Sequence, residues 1–197
     1  MFKSSFLFLV IFLESFLGQS QISDFKEKFE PPSAVEETSG LLFLDGKIIT
    51  NNDGGDAANL YEIDSLTGNL LRTININNAT NVDWEDLADD ETYIYIGDFG
   101  NNNGTRTDLK IYKILKSDFK NNTQVSSEII SFSYEDQTNF NSSNTHNFDA
   151  EAFVIYEDSI LIFTKNRGNF KTNVYKIPKN IGNHTAVKVS SANVDGL

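Results

Sequence analysis

From about residue 40 onward, hydrophobic residues fall in runs of five to eight, rich in Ile, Val, Phe and Tyr and broken by Gly, Asn, Asp and Ser. Runs of that length and composition suit pleated strands and are too short for buried helices. Twelve such runs are expected, in three groups of four. The first group is Gly40–Leu44, Lys47–Asn51, Asn59–Asp64 and Leu70–Ile76. The second is Trp84–Ala88, Thr92–Gly97, Leu109–Leu115 and Ser127–Tyr134. The third is Asp149–Tyr156, Ser159–Lys165, Thr172–Pro178 and Ala186–Ser191. Asp45-Gly46 has the composition of a two-residue hairpin turn, which needs positive φ at both central positions. The only helical expectation beyond residue 20 is a single turn at Ser117–Lys120.

The groups are copies of one pattern. SGLLFLDGKIITNND, EDLADDETYIYIGDFG and EAFVIYEDSILIFTKNRG align, with Ser39, Glu85 and Glu151 in the same place. Asn52, Asp98 and Lys165 follow at thirteen, thirteen and fourteen residues. An apolar–Tyr–charged–Ile signature then recurs at Leu60–Ile63, Ile111–Ile114 and Val174–Ile177. Repeated four-stranded antiparallel units of this length describe an all-β fold, a β-propeller, with each unit a blade. The expected blades cover about 35–80, 81–135 and 147–197, preceded by a linker at 21–34. Because strand direction alternates, the loop after the second strand of each unit and the segment entering the next unit lie at one end.

The chemistry-bearing residues gather at that end. The entering segments carry Glu36-Glu37, Asp83-Trp84-Glu85-Asp86 and His146 to Glu151. The start of each first strand lies nearest the axis, so Glu85 and Glu151 are expected at the channel mouth with Asp98 and Lys165 beside them. Carboxylates crowded together are costly unless something neutralises them. Calcium takes six to eight oxygens and would do so. The candidate metal ligands are Asp83, Glu85, Asp86, Asp98, Asp149 and Glu151. Asn52, Lys165 and Arg167 are the candidates for holding a ligand. Asp, Asn and Gly are also ordinary turn residues, and Asn is abundant throughout. Trp84 reads as core, and His146 as a loop residue that could serve as a base.

Composition narrows the classes. The chain has no cysteine, which excludes a disulfide scaffold or thiolate site, and two histidines too far apart in sequence to suggest a multi-His zinc centre. A net charge of −12 argues against a nucleic-acid partner. Residues 1–20 read as a secretory signal peptide: Lys3, an apolar run at Phe6–Phe12, then Gly18-Gln19-Ser20. The mature protein is therefore expected outside the cell or on its surface, with no membrane span.

At Asn81-Val82-Asp83-Trp84-Glu85-Asp86 and Tyr95-Ile96-Gly97-Asp98-Phe99-Gly100-Asn101-Asn102, the sequence resembles a group of secreted propeller proteins of Bacteroidota. Many of that group carry a C-terminal type IX sorting domain. Thr38–Leu41, Asn51–Gly55, Phe148–Phe153 and Thr164–Asn166 extend the likeness over residues 35–197. A more distant similarity is to phytase-like and lactonase-like propellers, which hold calcium at an acidic mouth. The resemblance implies fold and export; no catalytic residue carries over position by position.

A closed propeller needs four to eight blades. Three are countable here, so the rest of a roughly six-bladed ring is expected from further chain or from a second copy. Two functions compete with a third reading, in which the acidic residues are only a solvated surface on a structural propeller. One is a binding module that holds an ion, small ligand or protein at its mouth. The other is a calcium-dependent hydrolase of phosphoesters or lactones. The export signal gives the first prediction. In a secreting host, amino-terminal sequencing of the released protein should begin at Gln21; a product retaining Met1 would contradict the signal reading.

Overall fold

The computed structural model describes residues 27–193. The expected signal peptide and the first part of the linker lie outside the described residues. The described chain is all-β, in antiparallel four-stranded meanders. The first comprises β1 (Thr38–Leu44), β2 (Lys47–Asn52), β3 (Asn59–Asp64) and β4 (Leu70–Ile76). The second begins with β5 (Trp84–Asp89), β6 (Tyr93–Asp98) and β7 (Lys110–Leu115). After the short helix α1 (Lys116–Asn121) and the two-residue β8 (Gln124–Val125), β9 (Glu128–Tyr134) completes it against β7. The third is β10 (Asp149–Tyr156), β11 (Ser159–Lys165), β12 (Lys171–Pro178) and β13 (Gly182–Asn193).

All twelve expected strands are present, with ends shifted by a few residues, and the single expected helical turn is α1. Asp45 and Gly46 both have positive φ, as the hairpin turn requires. Two features of pairing were not legible. β8 pairs in parallel with β4 through Asn75–Gln124 and Ile76–Val125. The first part of β13, Gly182–Ala186, pairs in parallel with β9. That second pairing merges the second and third meanders into one eight-stranded sheet, which curls until its edge strands β5 and β10 meet. Both pairings involve fourth strands or their neighbours, whose outward edges carry free N–H and C=O groups.

The first strands are the inner spine: β5 lies between β1 and β10. Alternation sends one set of side chains to each neighbour. Leu42 and Ile49 meet Trp84, Leu87, Ile94 and Ile96 in one core. Tyr95, Phe99 and Ile111 meet Phe153, Ile160 and Tyr175 in the other. The repeated tyrosine of the third strands is buried in all three meanders, and its hydroxyl donates to Asp56, Thr80 O and Asp136 in turn. At the periphery, Arg72 of β4 donates to the carbonyls of Phe119, Lys120 and Asn122, which ties the end of α1 to the first sheet.

The alignment of repeats needs one correction. Each first strand carries a bulge, at Ser39/Gly40, Glu85 and Glu151, the positions the repeat equates. Beyond it Thr38 pairs with Asn52, Trp84 with Asp98, and Ala150 with Thr164. The counterpart of Asn52 and Asp98 is thus Thr164, not Lys165. A one-residue offset in a strand reverses the face; Thr164 is buried while Lys165 is exposed.

Close approach of β1 to β5 depends on Gly40. A Cβ there would lie 2.6 Å from Leu87 N and 2.8 Å from the Asp86 carbonyl carbon, both backbone. Gly40→Ala should therefore destabilise the fold by about 1–3 kcal/mol, read as a fall in Tm by thermal denaturation. An unchanged Tm would mean the two strands do not pack as described.

Candidate functional site

The expected end-clustering is present. The β2–β3 loop of the first sheet meets the segment that enters β5, and the β6–β7 loop of the second meets the segment that enters β10. Asn81 Nδ2 donates to Asn52 O and Asp53 O, at 3.1 and 2.9 Å. Asn101 N donates to Asp149 Oδ1 at 2.8 Å, and Asn101 Nδ2 to Phe148 O at 3.1 Å.

Four of the six candidate metal ligands are committed to neighbours. Asp98, fully buried, accepts from Asp83 N and pairs with Arg106 at 3.0 Å. Asp149, also buried, accepts from Asn101 N and from Arg167 Nε at 2.8 Å. Asp86 accepts from Leu87 N and, across to the third sheet, from Phe153 N at 3.0 Å. Glu151 pairs with Lys165 at 3.1 Å. Burial pushes the Asp86 and Glu151 carboxyls above their usual range; the Phe153 and Leu87 amides oppose this at Asp86, and Lys165 opposes it at Glu151.

Asp83 and Glu85 are different. Neither carboxylate has a hydrogen-bond donor or a cation in contact among the described residues. They converge with Asp53, one carboxylate oxygen from each lying within 4.8 Å of the others. Two glycines leave them room: a Cβ on Gly100 would fall 2.3 Å from Glu85 Oε1 and 2.5 Å from Asp83, and one on Gly54 2.6 Å from Asp83 Oδ1. Burial, then the charge of Asp53, raises the Asp83 pKa to about 6. Burial, then the charges of Glu151, Asp53 and Asp83, raises that of Glu85 to about 8.

The three candidate ligand-binding residues do not form one group. Asn52 donates to Ala34 O and Asp56, and its Oδ1 is buried without a donor. Lys165 and Arg167 stand on the third sheet, engaged by Glu151 and Asp149. His146 is structural: Nδ1 accepts from Phe148 N, so Nε2 carries the proton and donates to Asn102 O. Trp84 is core, fully buried, with its Nε1 donating to Thr80 O.

Sequence reasoning missed two residues. Arg106 neutralises Asp98, and a lone cation within the Asn-rich loop was the available signal. Asp53 completes the triad from thirty positions upstream of Asp83, and only the stacking of sheets brings it there.

These shifts fix the pH response of the metal-free protein. Between the ordinary carboxyl values of 3.8 and 4.5 and the raised values of about 6 and about 8, the folded chain holds protons that the unfolded chain has released. Stability in chelator should therefore fall as pH rises through this window. Glu85→Gln should flatten the fall and raise Tm at pH 8 by about 2–4 °C for each kcal/mol of relieved repulsion. A lower Tm for that variant at pH 8 would contradict the assignment.

No family model matches this chain, and no curated protein matches it. Among solved structures, a crystal structure of the computationally designed Ika8 protein aligns with 79% of this chain at 13% identity and a TM-score of 0.37. The chain spans 43% of that structure's length.

Proposed function

We propose that the chain is a secreted or cell-surface β-propeller binding module, built of four-stranded blades, whose acidic mouth holds a divalent cation, calcium. One observation carries this reading: Asp53, Asp83 and Glu85 converge from two adjacent sheets, and the latter two lack the donors that every other clustered carboxylate has. The twelve strands in three stacked meanders support the blade reading. The export reading rests on residues 1–20 and on the resemblance to secreted Bacteroidota propellers.

The donor set fits a hard cation. All three groups are carboxylates, able to supply up to about six oxygens if each binds through both, with water completing the shell. No imidazole or thiol takes part, which disfavours zinc. Such an ion would be held by the β2–β3 loop on one side and the β5 entry on the other, and would lock the first sheet to the second. At the mouth it would also offer a positive centre to an anionic group on a ligand or partner. Hydrolysis would need Glu85, Asp98 or Glu151 to activate water; Arg106 holds Asp98 and Lys165 holds Glu151, which leaves Glu85 alone for that task, whereas cation binding uses Glu85 together with Asp83 and Asp53.

Residues 21–197 should melt at a higher temperature in calcium than in chelator. At a hundredfold excess over Kd the gain is about 2.7 kcal/mol. Asp83→Asn and Glu85→Gln should each abolish most of that difference, whereas Asp108→Asn, an exposed carboxylate outside the cluster, should keep it. An equal Tm with and without calcium in the wild-type chain would refute the cation site. Calcium-dependent turnover of a phosphoester or lactone, lost in Glu85→Gln, would favour the hydrolase instead.

A further inference from the structure

Each sheet grips the next in the same way. The loop after its second strand receives the following entry segment, and an apolar residue of the following first strand closes the contact. Leu87 plays that part at the first junction, 4% exposed, and Phe153 at the second, 2% exposed. Two halves of the arrangement have no counterpart among the described residues. Leu41, which the repeat equates with Leu87 and Phe153, is 57% exposed, with Phe43 beside it at 68%. Just ahead of them Glu36 and Glu37 are exposed. On the third sheet, the loop between β11 and β12 borders a groove of about 710 Å³. Ala152, Phe163 and Phe170 supply its apolar surface, and Lys165, Arg167 and Lys171 outnumber the one carboxylate that lines it, Glu151.

We propose that a second copy of this chain fills this groove. Its Glu36-Glu37 segment lies against Lys165 and Lys171, and its β1 covers Phe163 with Leu41 and Phe43. The charges are complementary where it matters. The chain carries −12 overall, so two copies repel unless a local patch of opposite sign meets an acidic one. The groove holds three cations against one carboxylate, Glu151; Lys165 and Arg167 pair with Glu151 and Asp149, while Lys171 has no ion-pair partner among the described residues. The contact joins unlike surfaces, groove to entry segment, and both are present on every copy. Two copies related by a two-fold axis can therefore close on each other through two identical junctions, giving six meanders in one ring. This inference rests on the stacked-blade reading above and is independent of the cation.

Sedimentation equilibrium of residues 21–197 tests it. The wild-type chain should have twice the monomer mass. A groove variant, Lys165→Glu with Lys171→Glu, and an entry variant, Glu36→Lys with Glu37→Lys, should each be monomeric. Mixed in equal amounts they should recover the dimer, because one junction of the mixed pair is native and the other is charge-swapped. The entry variant changes only exposed side chains, so it reports on association even if the groove variant loses its far-UV strand spectrum. A monomeric wild type, an open series of larger assemblies, or a dimer that survives the entry variant would each overturn the proposal. A chain that responds to calcium but stays monomeric would lose this inference and keep the cation site.

Discussion

The grip of each second-strand loop on the entry segment of the next sheet is the contact on which the rest of this structure depends. It is made by side chains bonding to backbone, Asn81 to the carbonyls of Asn52 and Asp53 and Asp149 to the amide of Asn101, and a bond between first strands, from the Phe153 amide to Asp86, reinforces it. Bonds of this kind fix both distance and register, which apolar packing alone does not. The apolar faces then meet in the right order, and the bulges turn Glu85 and Glu151 towards the same end. Gly40 permits the spacing that the whole stack requires.

The same constraint sorts the acidic residues into two kinds. The carboxylates that serve as joints have amides or guanidinium groups beside them: Asp98, whose Oδ1 meets Arg106 and the Asp83 amide while its Oδ2 is buried without a donor, Asp149 with Arg167, and Asp86 with two backbone N–H groups. Asp83 and Glu85 make no joint. They are partly buried, repel one another and Asp53, and take up protons more readily for that reason. A site whose own charges destabilise it in the absence of a counter-ion is the electrostatic form expected of a cation receptor.

Strand positions were legible because strand length, turn residues and the threefold repeat all agreed at each step; Leu60–Ile63, Ile111–Ile114 and Val174–Ile177 all lie in third strands. The parallel pairings of β8 with β4 and of β13 with β9 were not, since periodicity reports which face is buried and not which edge is covered. In the candidate site, the end of the fold and the residues Asp83 and Glu85 were readable from the entry segments. The division of labour among the carboxylates was not. Asp98 and Asp149 look the same as Glu85 in sequence, and differ only in having Arg106 and Arg167 folded against them. Lys165 was misaligned by one position: Thr38–Asn52, Trp84–Asp98 and Ala150–Thr164 have the same spacing, so the step from Glu151 to Lys165 is one residue too long, and that offset reverses the side-chain face.

The central claim is that a cation replaces protons and relieves repulsion at Asp53, Asp83 and Glu85. Titration calorimetry of calcium into residues 21–197 at pH 7, repeated in buffers of different ionisation enthalpy, measures it directly. With Glu85 titrating near 8, binding should release about one proton per ion, and Glu85→Gln should eliminate that release. Calcium binding with no proton release, or no binding at all, would contradict the account.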